Sequence, residues 1–225
     1  VAPNNCTDGT KGAALAAGAS IIACTIPVKS KGEVLSFALD YIFRCDDTYD
    51  AMCVCDADNL VHPNFLSEMN NALCSGKKVA QGYRDSKNPH DTAISCCYSL
   101  YYWMVNRFHN HARDALGLSA MVNGSGFMVS MDILKENGGW KTYTMTEDIE
   151  FTSQCILRGE KVAWDPDAII YDEQPLTFNQ SWKQRKRWST GVLQGLGRYG
   201  RQLVQTAYKT KNFSCVDQVI FFISP

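Results

Sequence analysis

Short apolar runs of strand length alternate along the chain with stretches whose apolar residues recur every three or four positions, the layering of an α/β domain. Strands are expected at Ile21–Ile26, Ala51–Cys55, Lys78–Gly82, Gly126–Ser130, Val162–Trp164 and Ala168–Tyr171. Between them, Pro63–Ser75 reads as a helix: Phe65, Leu66, Met69 and Leu73 share one stripe, with Pro63 near its start and Gly76 just past its end. A longer, aromatic-rich helix is expected from Thr92 to Ala115. Further on, Trp188, Val192, Leu196, Tyr199 and Leu203 recur at helical steps with the bases mostly off the stripe, an amphipathic helix. Gly191, Gly195, Gly197 and Gly200 along it permit close approach of a neighbour, at a cost in helix stability. There is no internal repeat and no low-complexity linker, so the pattern predicts one domain with a C-terminal appendage.

With 225 residues and 45% hydrophobic side chains, the chain can bury a substantial core. Its formal net charge of −1 gives no general attraction to nucleic acid. The charge is unevenly spread, however. Residues 174–216 hold eight Lys or Arg and no acid, leaving 14 bases against 23 acids elsewhere. Such a basic segment suits phosphate, anionic headgroups or the acidic body itself. The ten cysteines lie in apolar runs such as AMCVC and ISCCYSL without C-x-x-C spacing, and read as reduced core residues of an intracellular domain. The chain opens on Val1-Ala-Pro3 and closes on an apolar run, Val219–Ile223, of five residues, where a bilayer span takes about 20. Both ends read as cuts in a longer chain.

Three stretches carry candidate chemistry. In AMCVCDADN an apolar run ends in Asp56-Ala-Asp58, placing two carboxylates at the carboxyl end of a strand, where open α/β sheets bind ligands. The pair suits a hard divalent cation shared with a phosphate, and equally suits an Asx turn ahead of His62-Pro63. Asp165-Pro-Asp167 has the same spacing but reads as a turn between two short strands. In TMTEDI the acids Glu147 and Asp148 open a helical pattern; Thr146 or an acid can cap that helix, or a carboxylate can be aimed into a cleft. Trp182-Lys-Gln-Arg-Lys-Arg-Trp188 reads as a membrane-surface helix, as a site setting Arg on phosphate and Trp on a sugar, or as a solvated basic face. His62, His90, His109 and His111 lack a convergent pattern and read as surface or helix residues.

In order, Asp56-Ala-Asp58, Gly124-Ser-Gly-Phe127, Thr146-Glu-Asp148 and Gln184-Arg-Lys-Arg-Trp188 resemble the membrane-associated, inverting family 2 glycosyltransferases, the group of cellulose, chitin and hyaluronan synthases. Asn5–Thr10 and Lys31-Gly32 resemble segments lining that family's donor pocket. The resemblance implies a GT-A-like (Rossmann-like) mixed sheet flanked by helices, with a C-terminal amphipathic interfacial helix. It implies that Asp58 coordinates Mg²⁺ or Mn²⁺ at the donor diphosphate, with Asp56 near the sugar and nucleotide. Asp148 is then the base for the acceptor hydroxyl, with Glu147 in support. Arg187 contacts the diphosphate, Trp188 stacks on the acceptor, Gln184 orients that loop, Gly124, Ser125 and Gly126 border the acceptor, and Lys31 faces the nucleotide. Where the family carries an Asp for uracil this chain has Asn4, whose carbonyl can accept the same bond.

The expected donor is therefore a UDP-sugar and the acceptor a glycan or lipid, with no nucleic acid among the partners. The catalytic domain is expected on the cytoplasmic side of a membrane reached through segments outside this stretch. Residues 1–180 form the catalytic domain, 181–215 the Gln-x-x-Arg-Trp segment with its interface helix, and 216–225 the start of a membrane segment. The Gln-x-x-Arg-Trp segment favours polymer synthesis. The alternatives are a catalytically inactive nucleotide-sugar sensor or scaffold of the same fold, which would lack the base or a metal ligand, and a sugar nucleotidyltransferase, which leaves the Trp-rich basic helix unexplained.

Overall fold

The computed structural model describes residues 1–4, 6–45 and 48–224. At its centre is a five-stranded mixed sheet of order β1-β4-β3-β5-β2, formed by β1 (Ala51–Val54), β2 (Leu60–Val61), β3 (Val79–Ser86), β4 (Phe127–Ser130) and β5 (Val162–Asp172). Only the β3–β5 pair is parallel. Period-two alternation supplies both faces of the sheet. Val79, Phe127, Val129 and Val162 point into one core with Trp140 and Phe151, whose rings stack 4.3 Å apart. Ala80, Met128 and Ile170 point into the other, against Phe65 and Met69 of helix α3 (Phe65–Cys74).

Two expected strands are one. Val162–Trp164 and Ala168–Tyr171 fuse into β5, and Asp165-Pro-Asp167 is a bulge inside it: Gly82 pairs with Asp165 and Tyr83 already with Ile169. Asp165 Oδ1 accepts from the backbone N–H groups of Asp167 and Ala168 at 3.1 and 3.2 Å, the turn that the sequence suggested. The bulge presses the Ala168 carbonyl onto β3, where a Cβ on Gly82 would stand 2.2 Å from that oxygen. Gly82→Ala is therefore expected to destabilise the fold by about 1–3 kcal/mol, read as a lowered melting temperature.

Ile21–Ile26 is not a strand. Its Ile22 N–H donates to the Val1 carbonyl, next to the bond from the Val1 ammonium to the Ser20 carbonyl, and no strand among the described residues lies beside it to complete a ladder. In α3, Leu66 is 65% exposed, so the buried stripe is Phe65 and Met69 with Leu73 partly covered. The ten cysteines are free, but only Cys155 and Cys215 are buried. Cys53 lies in the edge strand β1, partly covered by the second core, while Cys55 just after it and Cys96 and Cys97 on a helix are exposed, so an apolar run did not mean a core position.

Helices α1 (Thr10–Ala16) and α2 (Lys31–Ile42) precede the sheet; α2 is capped by Ser30, whose hydroxyl accepts from Glu33 N–H. The long aromatic helix is α4 (Ala93–Met104), a π-helical stretch over Val105–Asn110 and α5 (His111–Ala115). The wide turn brings Asn106 and Asn110 inward together, where they bond the backbone of Arg84 and Met121. After β4 come α6 (Met131–Glu136) and α7 (Glu147–Leu157), and after β5 come α8 (Phe178–Thr210) and α9 (Phe213–Ile223). Val192, Tyr199 and Leu203 of α8 form a third core with Ile156, Cys215 and Phe222. Of the four glycines expected to allow close approach, two do so across helices: a Cβ on Gly191 would meet Thr146 at 2.4 Å and one on Gly195 would meet Phe222 at 2.6 Å. Among the described residues no helix is long and apolar enough to cross a membrane.

Candidate active site

Asp56-Ala-Asp58 leaves the carboxyl end of β1 as a short turn, and Asn59 shapes it. Asp56 N–H donates to Asn59 Oδ1 at 3.0 Å and to Ser125 Oγ at 2.9 Å. Lys31, at the first position of α2, pairs with the Asp56 carboxylate and donates to the Gly124 carbonyl at 2.6 Å. Asp58 stands at the rim with no cation on its carboxylate among the described residues; its one side-chain partner is Asn59 Nδ2 at 3.4 Å. Partial burial, then Asp172 and Asp56 nearby, push its pKa above the ordinary carboxylate value.

The Gly124–Gly126 turn sits between the two acidic segments. Gly124 and Gly126 have φ of +81° and +66°, which an L side chain would resist. A Cβ on Gly124 would lie 3.2 Å from Asp148 Oδ2, and one on Gly126 would strike Ile170 at 2.7 Å. Gln81, fully buried, holds the turn by donating to the Ser125 and Gly126 carbonyls and accepting from Asn123 N–H at 2.8 Å.

Glu147 and Asp148 begin α7, where the helix dipole favours negative charge. Enclosure by protein still raises both pKa values, and for Glu147 the neighbouring Asp148 adds to the rise. Of the two expected ways to satisfy the first turn, a Thr146 cap is absent and an acid serves, Asp148 Oδ1 accepting the Ile149 N–H at 2.9 Å. The Thr146 hydroxyl accepts nothing from the first turn because it is wedged against Gly191 of α8. The preceding loop is held by Glu150 instead, which is fully buried and accepts from Tyr143 N–H at 2.7 Å, Thr144 N–H at 2.6 Å and the Tyr199 hydroxyl of α8 at 2.7 Å.

The first turns of α8 close the site. Trp188 lies within 6.0–6.5 Å, centre to centre, of the rings of Tyr98, Tyr101 and Tyr102, making an aromatic wall. Arg187 is exposed and makes no ion pair among the described residues, and Gln184 Oε1 is buried without a partner. Below the wall, Arg84 donates to Asp172 at 2.9 Å through Nε and to the Asn123 carbonyl at 2.8 Å, with its guanidinium 4.2 Å from the centre of the Tyr102 ring. One cavity of about 1110 Å³ is lined by Asp56, Asp58, Arg84, Asp148, Arg187 and Trp188 among others. It can hold a bulky polar ligand between a cationic, carboxylate-bearing end and an aromatic wall.

A family model described as glycosyl transferase family group 2 matches residues 52–224. The chain belongs to that family. Glucomannan 4-beta-mannosyltransferase 7 of Arabidopsis thaliana is 26% identical over 172 residues, which is 74% of this chain and 30% of the relative. The probable glycosyltransferase YdaM of Bacillus subtilis (strain 168) is 32% identical over 171 residues, 73% of this chain and 39% of the relative. This family 2 chain thus spans well under half the length of those relatives. A mannosyltransferase from Pyrobaculum calidifontis, solved in complex with GDP-Man and Mn²⁺, superposes with a TM-score of 0.64 at 15% identity, over all of this chain and 64% of that one. The shared architecture is the mixed sheet flanked by helices expected of a GT-A glycosyltransferase.

Of the residues that the sequence singled out, Lys31, Asp56, Asp58, Gly124, Glu147, Asp148, Gln184, Arg187 and Trp188 line the family 2 cavity. Asn4, Ser125 and Gly126 do not. Ser125 is wholly buried, its hydroxyl spent on Asp56 N–H and Asn59, so it supports the cavity from behind. Asn5, which opens the segment matched to the donor pocket, lies outside the described residues. His109 is on the π-helical stretch and lines the cavity, held neutral by burial and by Arg113, which bring its pKa down to about 4. Asn59, Gln81, Arg84 and Asp172 were not foreseen. Arg84 and Asp172 lie near the carboxyl ends of β3 and β5, and polar residues at those ends were the available signal.

Proposed function

We propose that this cavity catalyses inverting transfer of a hexose from a nucleoside-diphosphate sugar to a hydroxyl of a glycan or lipid acceptor, with the catalytic domain at the cytoplasmic face of a membrane. The observation that carries the reading is the arrangement of its acids. Asp56 has Lys31 and Asp172 has Arg84, whereas among the described residues the Asp58 carboxylate has no cation, Lys87 reaching only its backbone carbonyl at 2.9 Å; Asp148 lies across the Gly124 turn from them. Among the described residues no three His, Cys, Asp or Glu groups could hold a metal by themselves. A hard divalent ion that takes one or two carboxylates and completes its shell with phosphates fits the unpaired Asp58. Bound there, Mg²⁺ or Mn²⁺ would supply charge neutralisation for the departing diphosphate.

The chain's own groups account for the rest. Asp148 accepts the proton of the acceptor hydroxyl as its oxygen bonds to the anomeric carbon and the bond from that carbon to the diphosphate breaks on the opposite side. Arg187, unpaired and facing the cavity, is free to meet phosphate, and Trp188 offers an aromatic face to a sugar. One displacement inverts the centre and needs no carboxylate nucleophile. Membrane association is supported by Leu100, Met104 and Phe108, exposed at four-residue steps along α4 and the π-helical stretch, and by the bases at the start of α8. The names of the relatives put mannose first among sugars to try, so GDP-mannose stands beside the UDP-sugars as donor.

The test is turnover by the full-length protein in membranes with a panel of GDP- and UDP-sugars and Mg²⁺ or Mn²⁺, following nucleotide release and product size. Turnover with one donor is expected, and a lengthening product would establish repeated addition. Absence of both turnover and metal-dependent nucleotide binding would overturn the reading.

A further inference from the structure

We propose that Asn59, held from behind by the Arg84–Asp172 pair, is the positioning residue for both donor-site aspartates. The inference rests on the reading of Asp56 and Asp58 as donor-site residues, and it starts from the bonding of one amide. A primary amide has two donors and an oxygen with two lone pairs, and all four are engaged here. Asn59 Oδ1 accepts from Asp56 N–H at 3.0 Å and from Ser125 Oγ. Asn59 Nδ2 donates to Asp172 Oδ1 at 2.8 Å and to Asp58 Oδ1 at 3.4 Å. The partners leave the amide one orientation: its oxygen faces a backbone N–H and its nitrogen faces two carboxylates.

The same amide therefore touches the backbone of one aspartate and the carboxylate of the other. Its anchor is firm. Asp172 is 3% exposed, and its Oδ2 accepts both Nε and a terminal nitrogen of Arg84. Arg84 in turn reaches the Asn123 carbonyl, one residue before Gly124. Strands β3 and β5, the Gly124 turn and the Asp56–Asp58 turn thus meet at Asn59. Residues that orient metal-holding groups without touching the ion set its affinity, and losing one costs about 10- to 100-fold.

The experiment uses the full-length protein in membranes or detergent and measures Mn²⁺-dependent binding of GDP and of UDP by calorimetry, with donor KM, kcat and melting temperature in parallel. Asn59→Ala is expected to raise the Mn²⁺ concentration for half-maximal nucleotide binding by about 10- to 100-fold, and donor KM with it, while kcat at saturating metal and donor falls less. Asn59→Ser, which keeps a short hydrogen-bonding group, should lie between wild type and Asn59→Ala and covers the case in which the alanine variant does not fold. A role confined to folding would lower the melting temperature and leave the Mn²⁺ requirement of the folded fraction unchanged, which would overturn the proposal. If the wild-type protein binds neither nucleotide with Mn²⁺, the donor-site reading falls and this inference with it. If the wild type binds and both variants match it, only the positioning role falls.

Discussion

Asp148→Asn is expected to reduce sugar transfer by about 10²- to 10⁴-fold, the usual contribution of a positioned general base, with nucleotide-sugar binding little changed. The substitution is nearly isosteric. An amide oxygen can still accept the Ile149 N–H, which Asp148 Oδ1 accepts at 2.9 Å. What disappears is basicity at that position. Initial rates and donor affinity measured on the same membranes separate the two quantities, and a variant that transfers at more than a tenth of the wild-type rate would remove Asp148 from the role of base. Glu147→Gln should cost less, since the proposed base is Asp148. The pH profile supplies a second check. Burial raises the Asp148 pKa above its ordinary value, and a base works only when ionised. Transfer should therefore be complete above that raised value and be lost as pH falls through it, with the acid limb of kcat/KM above the ordinary carboxylate range. In Asp148→Asn that limb should vanish from the residual rate.

The segments that carry this chemistry were legible because each places short polar residues at an abrupt end of an apolar run. Asp56-Ala-Asp58 at the end of β1 and Glu147-Asp148 at the start of α7 are local events, and local patterns record them. Ser30-Lys-Gly-Glu33 also carries the serine and glutamate spacing of a helix start, so α2 could have been read as well. Pairing across the sheet is another matter. Ile21–Ile26 has strand composition, but a ladder needs a neighbour, and composition does not reveal one. Within Val162–Asp172, Asp165-Pro-Asp167 argues for an interruption; the backbone absorbs it as a bulge because Gly82 gives the Ala168 carbonyl room. The support behind the aspartates was invisible for the same reason. Asn59 and Asp172 are 113 positions apart, and Arg84 and Asp172 are 88 apart. Thr146 shows the converse failure: a residue type suited to capping is diverted by packing against Gly191, a contact between helices that no local rule contains.

Asp58→Asn should separate function from stability in opposite directions. A metal ion at a departing diphosphate contributes several kcal/mol of charge stabilisation, and each 1.36 kcal/mol is tenfold in rate, so losing its carboxylate should lower transfer by about 10²- to 10⁴-fold. The loss should be partly recovered at high Mn²⁺, since the amide oxygen left at position 58 is a weaker oxygen ligand for the ion. Stability without metal should move the other way. The Asp58 pKa is raised in the folded chain by partial burial and by the charges of Asp172 and Asp56, so above that pKa its ionised form costs folding free energy. Removing the charge removes that cost, and the melting temperature of the metal-free variant should be equal to or slightly above that of wild type near neutral pH. Below the ordinary carboxylate pKa both proteins carry a neutral side chain there, and the difference should close. A carboxylate kept against its electrostatic preference, beside two acids that Lys31 and Arg84 neutralise, accords with the proposed cation site. A metal-free Asp58→Asn protein that melts well below wild type would mean that the carboxylate has a stabilising partner and would withdraw the cation from this position.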